Sequence, residues 1–160
     1  MEKVFQETPG ARRGLFLFGG TGRGARRMAA RIARRLSGRG VRALWIDAAG
    51  LGGLDAEALG RARRDMKRAR VLVLDATGAM GDDAIKRTYD AVCWRGRYRR
   101  EMIVCLNAQG ARLSDVRWRR LLARLSEACR AVFVEDLATE GEEGGRKREG
   151  KGLSHADLEV

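Results

Sequence analysis

Residues 14–47, GLFLFGGTGRGARRMAARIARRLSGRGVRALWID, decide the fold of this chain. The apolar run 15–18 leads into the turn Gly19–Gly24, which contains four glycines. Apolar residues then recur every four positions as far as Leu36, as they do on one face of a helix. A second apolar run follows and ends at Asp47. This order predicts a strand, a glycine-rich loop, a helix and a second strand.

The glycine-rich loop has the composition of an anion site. Glycines let the backbone come close to a ligand, and the N–H groups at the start of the next helix point toward it. The spacing Gly19-x-x-x-x-Gly24 fits a P-loop, in which Lys and then Ser or Thr come next, but here Ala25 and Arg26 follow. The arginines in this turn oppose the helix dipole unless an anion is bound, which favours a real anion site. The residues predicted to hold phosphates are Gly19, Gly20, Thr21, Gly22, Arg23, Gly24, Ala25 and Arg26.

A dinucleotide-binding fold is an alternative explanation of the same glycines. Gly20, Gly22 and Gly24 would then form the phosphate turn, and Asp47 would bind the ribose of NAD(P) in an oxidoreductase. The third glycine of that motif is expected two residues further along, and Arg27 replaces it. The dinucleotide interpretation is therefore a weaker match than the P-loop.

The overall composition bounds the class of protein. The 160 residues suffice for one domain with a buried core, and the formal net charge is +12. This charge favours polyanionic partners such as nucleotides or nucleic acid. A genome of high GC content, which encodes arginine wherever a solvated cation is tolerated, would give the same composition. The cysteines, Cys93, Cys105 and Cys129, form no CxxC pair, so neither a disulfide framework nor a zinc site is predicted. The apolar runs are too short for a membrane span and no secretory signal precedes the first strand, so we expect a cytoplasmic protein.

Apolar runs alternate with helical patterns along most of the chain. The predicted strands are 14–18, 41–47, 71–75, 102–106 and 131–134, and the predicted helices are 24–37, 55–68, 82–94 and 114–129. This alternation is typical of an α/β fold, and we predict a P-loop NTPase-like three-layer α/β/α sandwich with a mostly parallel five-stranded sheet. We divide the chain into a flexible leader, 1–13, a domain, 14–137, and a flexible tail, 138–160.

The segment from the loop to the second strand resembles the start of the adenylylsulfate kinases, a family of P-loop kinases. Their loop, Ala- and Arg-rich helix, R-G pair and acidic strand end correspond to GGTGRGAR, RMAARIARRL, GRG and VRALWIDAA in this chain. The resemblance implies transfer of the γ-phosphate of ATP, with Mg²⁺, to the hydroxyl group of a small phosphorylated or sulfated acceptor in sulfate assimilation. Asp47 falls on the first acid of that strand, and Ala49 replaces the second.

The same resemblance implies an acceptor site. Residues 103–112 can be laid on the family's I-S-P-Y-R strand, which puts Asn107 at its serine and Arg112 near its arginine. Asn107 and Arg112 would then bind the acceptor, and Asp47 would be the catalytic acid or base beside it. A mobile cover over the site would be formed by Lys147, Arg148 and Lys151.

Asp75 directly follows an apolar run, 71–74. An apolar strand that ends in Asp fits a Walker B element, so Asp75 is a candidate catalytic residue and Mg²⁺ ligand. Together with Asn107 it also resembles a GTPase, but the Lys and Asp expected after that Asn are absent. The structural alternative is that Asp75 caps the turn that follows it.

Ligands of open α/β sheets bind at the carboxyl ends of the strands. The segments expected there are the glycine-rich loop, Asp47, 75–77, 107–112 and 135–136.

The missing P-loop lysine bears on the mechanism. Losing a cation that stabilises the transition state typically costs about 10²–10³-fold in rate, so phosphate binding should survive better than catalysis. The alternative to an active kinase is therefore an impaired pseudokinase or a polyanion-binding module, acting with a partner protein or as a homodimer. The basic stretch 95–100 beside Trp94 can bind nucleic acid, although an ordinary basic loop is the commoner outcome.

Overall fold

The computed structural model describes residues 12–136. The predicted tail, 138–160, lies outside the described residues, together with the proposed cover residues Lys147, Arg148 and Lys151 and the predicted leader as far as residue 11. No helix in the described part of the chain combines the length and apolar character needed to cross a membrane.

The sheet contains five parallel strands in the order β2-β3-β4-β1-β5. The strands are β1 (Gly14–Gly19), β2 (Ala43–Asp47), β3 (Val71–Ala76), β4 (Glu101–Asn107) and β5 (Cys129–Phe133). β1, which precedes the glycine-rich loop, lies between β4 and β5. β4 therefore lies between β1 and β3, the strand that contains Asp75. The predicted α/β class and parallel five-stranded sheet are confirmed.

Helices cover both faces of this sheet. They are α1 (Arg23–Ser37), α2 (Ala56–Arg68), α3 (Asp82–Arg97) and α4 (Val116–Ala128), with a short 3₁₀ helix at Ala49–Gly53. On one face Ala25, Ala29 and Ile32 of α1 contact the sheet, and on the other face α2, α3 and α4 contribute Met66, Ile85, Val92, Trp118, Leu121 and Leu125. The result is a three-layer α/β/α sandwich.

β3 shows how the sequence produces these layers. All six of its residues are buried, because helices lie above and below it. Successive side chains of a strand point to opposite faces, so Val71 and Val73 enter the core beneath α1, whereas Leu72 and Leu74 enter the core beneath α3 and α4. An uninterrupted apolar run is the sequence pattern that such a strand requires.

Several elements differ from their predicted bounds: β2 begins at Ala43, α3 extends three residues further, to Arg97, and α4 begins at Val116. Residues 48–54, predicted as a loop, contain the 3₁₀ helix, which buries Leu51. β5 begins at Cys129 rather than at 131, because Cys129 is the partner of Gly14 in the β1–β5 ladder. A Cβ atom at Gly14 would clash with Cys129 Sγ, so the glycine is what allows the pair to form.

Arg95 belongs to the core rather than to the predicted basic surface at 95–100. Its side chain is 1% exposed and donates hydrogen bonds to the carbonyl oxygens of Met66 and Ala69, at 2.9 and 2.7 Å. The last carbonyl groups of a helix have no partner within it, and Arg95 satisfies two at the end of α2. Burial lowers the pKa of Arg95 to about 10, which still leaves the guanidinium charged at neutral pH.

Candidate functional site

The carboxyl ends of the strands bring most of the predicted site residues to one edge of the sheet. Gly19 is the register partner of Asn107 across β1 and β4, and Asp47 is the partner of Asp75 across β2 and β3. The glycine-rich loop connects β1 to α1 at this edge. The placement follows from parallel strands, whose carboxyl ends all meet on the same side.

The loop turns tightly into α1 at Gly22. Gly22 has a φ of 84°, in the left-handed region that residues with a Cβ atom rarely adopt. A Cβ atom there would also lie 2.8 Å from Thr77 Cγ2 and 3.2 Å from Asn107 Cα. The Gly22 carbonyl accepts the first helical hydrogen bond, from the Arg26 N–H at 2.9 Å. A glycine is therefore needed at this position for both backbone conformation and space.

The carboxylate of Asp136 lies against the N–H groups of this loop. Its Oδ2 atom accepts hydrogen bonds from the Thr21 N–H at 2.5 Å and from the Thr21 hydroxyl at 2.6 Å. Its Oδ1 atom accepts from the Gly24 N–H at 2.7 Å. The Thr21 hydroxyl, then the Gly24 and Thr21 N–H groups, lower the pKa of Asp136 to about 2 from an ordinary 3.8. The loop thus binds an anion, and this anion is the carboxylate of Asp136 from the same chain.

Glycines allow the segment after β5 to reach the loop. The Val134 N–H donates to the Phe18 carbonyl at 2.8 Å, which extends the contact between β5 and β1. A Cβ atom at Gly19 would clash with the Val134 carbonyl oxygen, and one at Gly24 would clash with the Glu135 carbonyl oxygen. Two of the predicted phosphate-loop glycines therefore also make room for the chain's own backbone.

Ala25 and Arg26, which replace the P-loop Lys and Ser or Thr, have different surroundings. Ala25 is fully buried in the core beneath α1, and its carbonyl accepts a 3.7 Å hydrogen bond from Cys105 Sγ. Arg26 reaches across the edge of the sheet, and its Nε atom lies 3.0 Å from Asp75 Oδ2. A cation thus contacts the acid that the sequence predicted as a metal ligand.

Both oxygens of Asp75 have partners in this arrangement. Oδ1 accepts from the Thr77 hydroxyl at 2.5 Å and from the Thr77 N–H at 3.2 Å, and Oδ2 pairs with Arg26. Within the part of the chain that the structure describes, no three His, Cys, Asp or Glu side chains form a metal-binding group. For Asp75 to hold Mg²⁺, as the sequence predicts, Arg26 would have to leave Oδ2 and phosphate oxygens would have to supply further ligands. The contacts with Thr77 also match the turn-capping alternative.

Asp47 is exposed and holds the start of the 3₁₀ helix. Its Oδ1 atom accepts a hydrogen bond from the Ala49 N–H at 3.1 Å. The neighbouring Gly50 has no Cβ atom, and one placed there would lie 3.5 Å from Asp47 Oδ2. The carboxylate remains accessible at the edge of the sheet, and its predicted catalytic role is not tested by this geometry.

Asn107 and Arg112, the predicted acceptor-binding residues, line one cavity of about 380 Å³ next to the loop. Asn107 Oδ1 accepts from the Gln109 N–H at 2.9 Å and from the Gly110 N–H at 3.1 Å, which shapes the wall of this cavity. Asp82 and Asp115 line it as well. The mixture of charges means that the cavity does not by itself select an anionic ligand.

Sequence reasoning placed 135–136 at this edge but missed the role of Asp136. A signal was available, because α1 has no acidic residue in its first turn and its N-cap is a glycine without a side-chain hydrogen bond. A helix that begins with an arginine and has no acid in its first turn favours an anion from elsewhere. The partner is 112–115 residues away in the chain, which no local pattern indicates.

An apolar strand, a glycine-rich loop, a helix and an acid at the end of a second strand define the P-loop NTPase fold, which the order of the sheet supports. The comparison with solved structures agrees with this class. A DNA replication initiation factor superimposes with a TM-score of 0.66 at 16% identity, over 94% of this chain and 48% of that one. The DnaC helicase loader gives 0.61 at 17% identity, over 82% and 83%.

A third similar structure, the replication initiator DnaA bound to AMPPCP and single-stranded DNA, gives 0.64 at 16% identity over 94% and 49% of the two chains. The chain thus spans about half the length of the two initiators. No model of a known protein family matches the chain, and no curated protein matches it. The predicted P-loop fold is confirmed, whereas these neighbours give no support to the finer resemblance to adenylylsulfate kinase.

Proposed function

We propose that this domain binds ATP through the loop Gly19–Arg26 and uses the bound nucleotide to control its association with a macromolecular partner. The observation that carries the proposal is the carboxylate of Asp136, held by the N–H groups of Thr21 and Gly24. A loop whose amide groups coordinate one anion in this way has the geometry to coordinate a phosphate. The AMPPCP-bound initiator with the same fold supports a nucleotide as the ligand.

The proposed cofactors are ATP and Mg²⁺. Arg23 lies within the loop and can contact the phosphates, whereas the buried methyl group of Ala25 provides no cation. Mg²⁺ would be held by Asp75 after the displacement of Arg26, and Arg26 would then be free to pair with phosphate oxygens. The metal, when bound, supplies charge neutralisation between the phosphates. We therefore expect nucleotide binding with slow hydrolysis.

We do not extend the proposal to phosphoryl transfer onto a small hydroxyl acceptor. That reaction needs a cation on the β- and γ-phosphates, and Ala25 cannot supply it. The similar solved structures described above are replication proteins, and they give no support to a role in sulfate assimilation. Asp47, Asn107 and Arg112 remain candidates for contacts with whatever ligand enters the neighbouring cavity.

Thermal denaturation with a panel of ligands tests the proposal. A ligand that binds the native state raises the melting temperature by mass action. We expect stabilisation by ATP and AMPPCP, a smaller effect of GTP, and none by adenylylsulfate or NADP. Stabilisation by NADP alone would show that the dinucleotide interpretation is correct. A Gly22→Ala variant, which disturbs the loop, should lose the response to ATP, whereas Gly53→Ala, with no atom near the added methyl group, should keep it.

A second candidate function, binding of single-stranded nucleic acid, rests on a separate surface. Trp94 contacts Tyr98 with a centroid distance of 4.8 Å and an angle of 41° between the rings, and Lys67 Nζ lies 5.4 Å from the centre of the Trp94 ring. Tyr98 is 57% exposed and arginines flank it in sequence. Exposed aromatic rings with cations around them bind single strands by stacking and phosphate contact.

Fluorescence anisotropy with a labelled oligothymidine tests this second function. Binding should weaken steeply between 50 and 200 mM salt, because cations on the strand are released when the protein binds. Tyr98→Ala should reduce the affinity at every salt concentration, since base stacking is worth about 1–3 kcal/mol per base. Lys67→Ala should lower the affinity and reduce its salt dependence. Arg31→Ala removes one cation from α1, on the opposite face of the sheet, and serves as its charge control. Equal affinities for all of these proteins would rule out this surface.

A further inference from the structure

The N-terminus of α1 depends on an anion from another part of the chain. Its N-cap, Gly22, has no side chain, and the described helix has no acid in its first turn. Arg23 begins the helix, so the local charge adds to the positive end of the helix dipole instead of opposing it. The N–H groups that have no carbonyl partner within the helix therefore favour any carboxylate or phosphate that can reach them.

Asp136 meets this requirement with the same donors that a phosphate would need. One carboxylate oxygen accepts from Thr21 and the other from Gly24, so the side chain spans the loop. Two anions cannot share these N–H groups, because both the space and the hydrogen bonds are already used. Occupation of the loop by Asp136 and by a phosphate is therefore mutually exclusive.

The segment that carries Asp136 is poised for displacement. Glu135 and Asp136 are exposed, and Phe133 at the end of β5 is 61% exposed. The Val134 N–H donates a hydrogen bond to the Phe18 carbonyl, and the half-buried Val134 side chain packs against the core beneath α1. Glu135 and Asp136 contribute no apolar side chain to the core, so releasing 134–136 breaks the core contacts of Val134 and costs less than the unfolding of a whole core strand.

We propose that Asp136 is a built-in competitor of the nucleotide: it occupies the phosphate position of the loop, and nucleotide binding expels it together with residues 134–136. The inference rests on the proposed function, since it assumes that the ligand binds through its phosphates. Expulsion couples the loop to the position of the chain after β5. By reciprocity, anything that draws this segment away from the loop strengthens nucleotide binding by the same factor.

The size of the effect follows from the fraction of molecules in which the loop is open. If Asp136 occupies the loop in about 90% of the molecules, the apparent affinity for a phosphate ligand falls about tenfold. Removing the carboxylate charge should raise the apparent affinity for a phosphate ligand by the same factor. Asp136→Asn keeps the size of the side chain and one acceptor oxygen but loses the charge-assisted hydrogen bonds.

Isothermal titration of ATP into the full 160-residue chain tests the inference with a matched control. We expect Asp136→Asn to bind ATP about tenfold more tightly than the wild type. Glu135→Gln removes one negative charge from the adjacent position, whose side chain is exposed, and should bind like the wild type. Equal affinities for wild type and Asp136→Asn would overturn the inference and leave the proposed function intact. Equal gains for both variants would also overturn it, because charge alone would then explain the effect.

Hydrogen exchange gives a readout that needs no nucleotide. The N–H groups of Thr21 and Gly24 should be protected in the wild type and should exchange faster in Asp136→Asn. Addition of ATP to the wild type should keep these amides protected and increase exchange at 134–136. Unchanged exchange of Thr21 and Gly24 in the variant would overturn the inference. A lack of ATP binding by all three proteins would instead overturn the proposed function and the competition with it.

Discussion

The guanidinium of Arg26 lies directly against the carboxylate of Asp75, with 3.0 Å between Nε and Oδ2. In the P-loop pattern, Ser or Thr would stand at the position of Arg26, and Asp75 would help to hold Mg²⁺. The arginine side chain is 64% exposed, whereas that of Asp75 is 7% exposed. The pair thus neutralises a buried carboxylate with a cation that keeps most of its contact with water.

A double-mutant cycle measures this pair. We expect Arg26→Ala to lower the free energy of unfolding by roughly 1–2 kcal/mol, because Asp75 loses its cation but keeps Thr77. In the Asp75→Asn background the same change should cost clearly less, with a coupling energy of about 0.5–1 kcal/mol. Urea denaturation gives these values. The effects of Arg31→Ala, at an exposed position of the same helix, and of Asp75→Asn on the free energy of unfolding should add. Additive effects of Arg26→Ala and Asp75→Asn would contradict the pairing.

Three glycine substitutions separate backbone strain from crowding at the loop. Gly40→Ala places a methyl group in open space at a φ of 77°, so it should cost about 1 kcal/mol from strain alone. Gly22→Ala has a similar φ, but its methyl group would meet Thr77 and Asn107, so it should cost about 1–2 kcal/mol more. Gly53→Ala should change the stability by less than about 0.5 kcal/mol. Chemical denaturation checks the order, and equal costs at 22 and 40 would mean that Gly22 does not lie against Thr77 and Asn107 as described.

The contact of Asp136 with the loop predicts an acid-sensitive contribution to stability. The folded pKa, about 2, is below the ordinary value of 3.8, so the contribution is present above pH 4 and is lost as the pH falls through 2. The Thr21 hydroxyl and the Gly24 and Thr21 N–H groups face the carboxylate, with Arg23 as the nearby cation. Wild type should therefore melt at a higher temperature than Asp136→Asn at neutral pH.

The two melting temperatures should converge as the pH approaches 2, because the wild-type carboxyl group is then protonated. Glu135→Gln controls for the general loss of one carboxylate near the loop. A constant difference between wild type and Asp136→Asn from pH 2 to pH 7 would show that the charge of Asp136 does not contribute.

Thiol labelling tests the packing of the strands that surround the loop. Cys105 and Cys129 are fully buried, and burial raises the pKa of each thiol to about 12, so neither forms a reactive thiolate at pH 8. Cys93 is half-buried on α3. In the native protein a thiol reagent such as Ellman's should modify one cysteine quickly and the other two only after unfolding. Cys93→Ala should abolish the fast reaction, and two fast thiols would contradict the described core.

Local patterns in the sequence predicted the helices, strands and turns whose formation depends on residues that are close together in the chain. The apolar run of β3 and the helical stripe of α1 gave those elements to within one or two residues, and the glycines at 19, 22 and 24 indicated the loop. Parallel-strand geometry then placed Asp47, Asp75 and Asn107 at one edge. Each of these inferences needs only spacing, propensity or the direction of a strand.

The same local patterns could not predict contacts between residues that are far apart in the sequence. The strand order, with β4 beside β1, depends on how whole strands pair, and several orders fit the same alternation of elements. Arg95 looked like a surface cation because arginines are rarely fully buried, and only the carbonyl groups at the end of α2 explain its position. Asp136 and Arg26 acquire their roles through partners far away in the chain.

The pairing of Arg26 with Asp75 also limits how catalysis could be engineered into this chain. Arg26→Thr alone restores a hydroxyl group for a metal but leaves a buried carboxylate without its cation until the metal arrives. Ala25→Lys alone adds a third cation to a loop that already has Arg23 and Arg26, while Asp136 still competes for the phosphate position. Each single step is unfavourable by itself, so a variant library that seeks faster hydrolysis would have to change positions 25, 26 and 136 together.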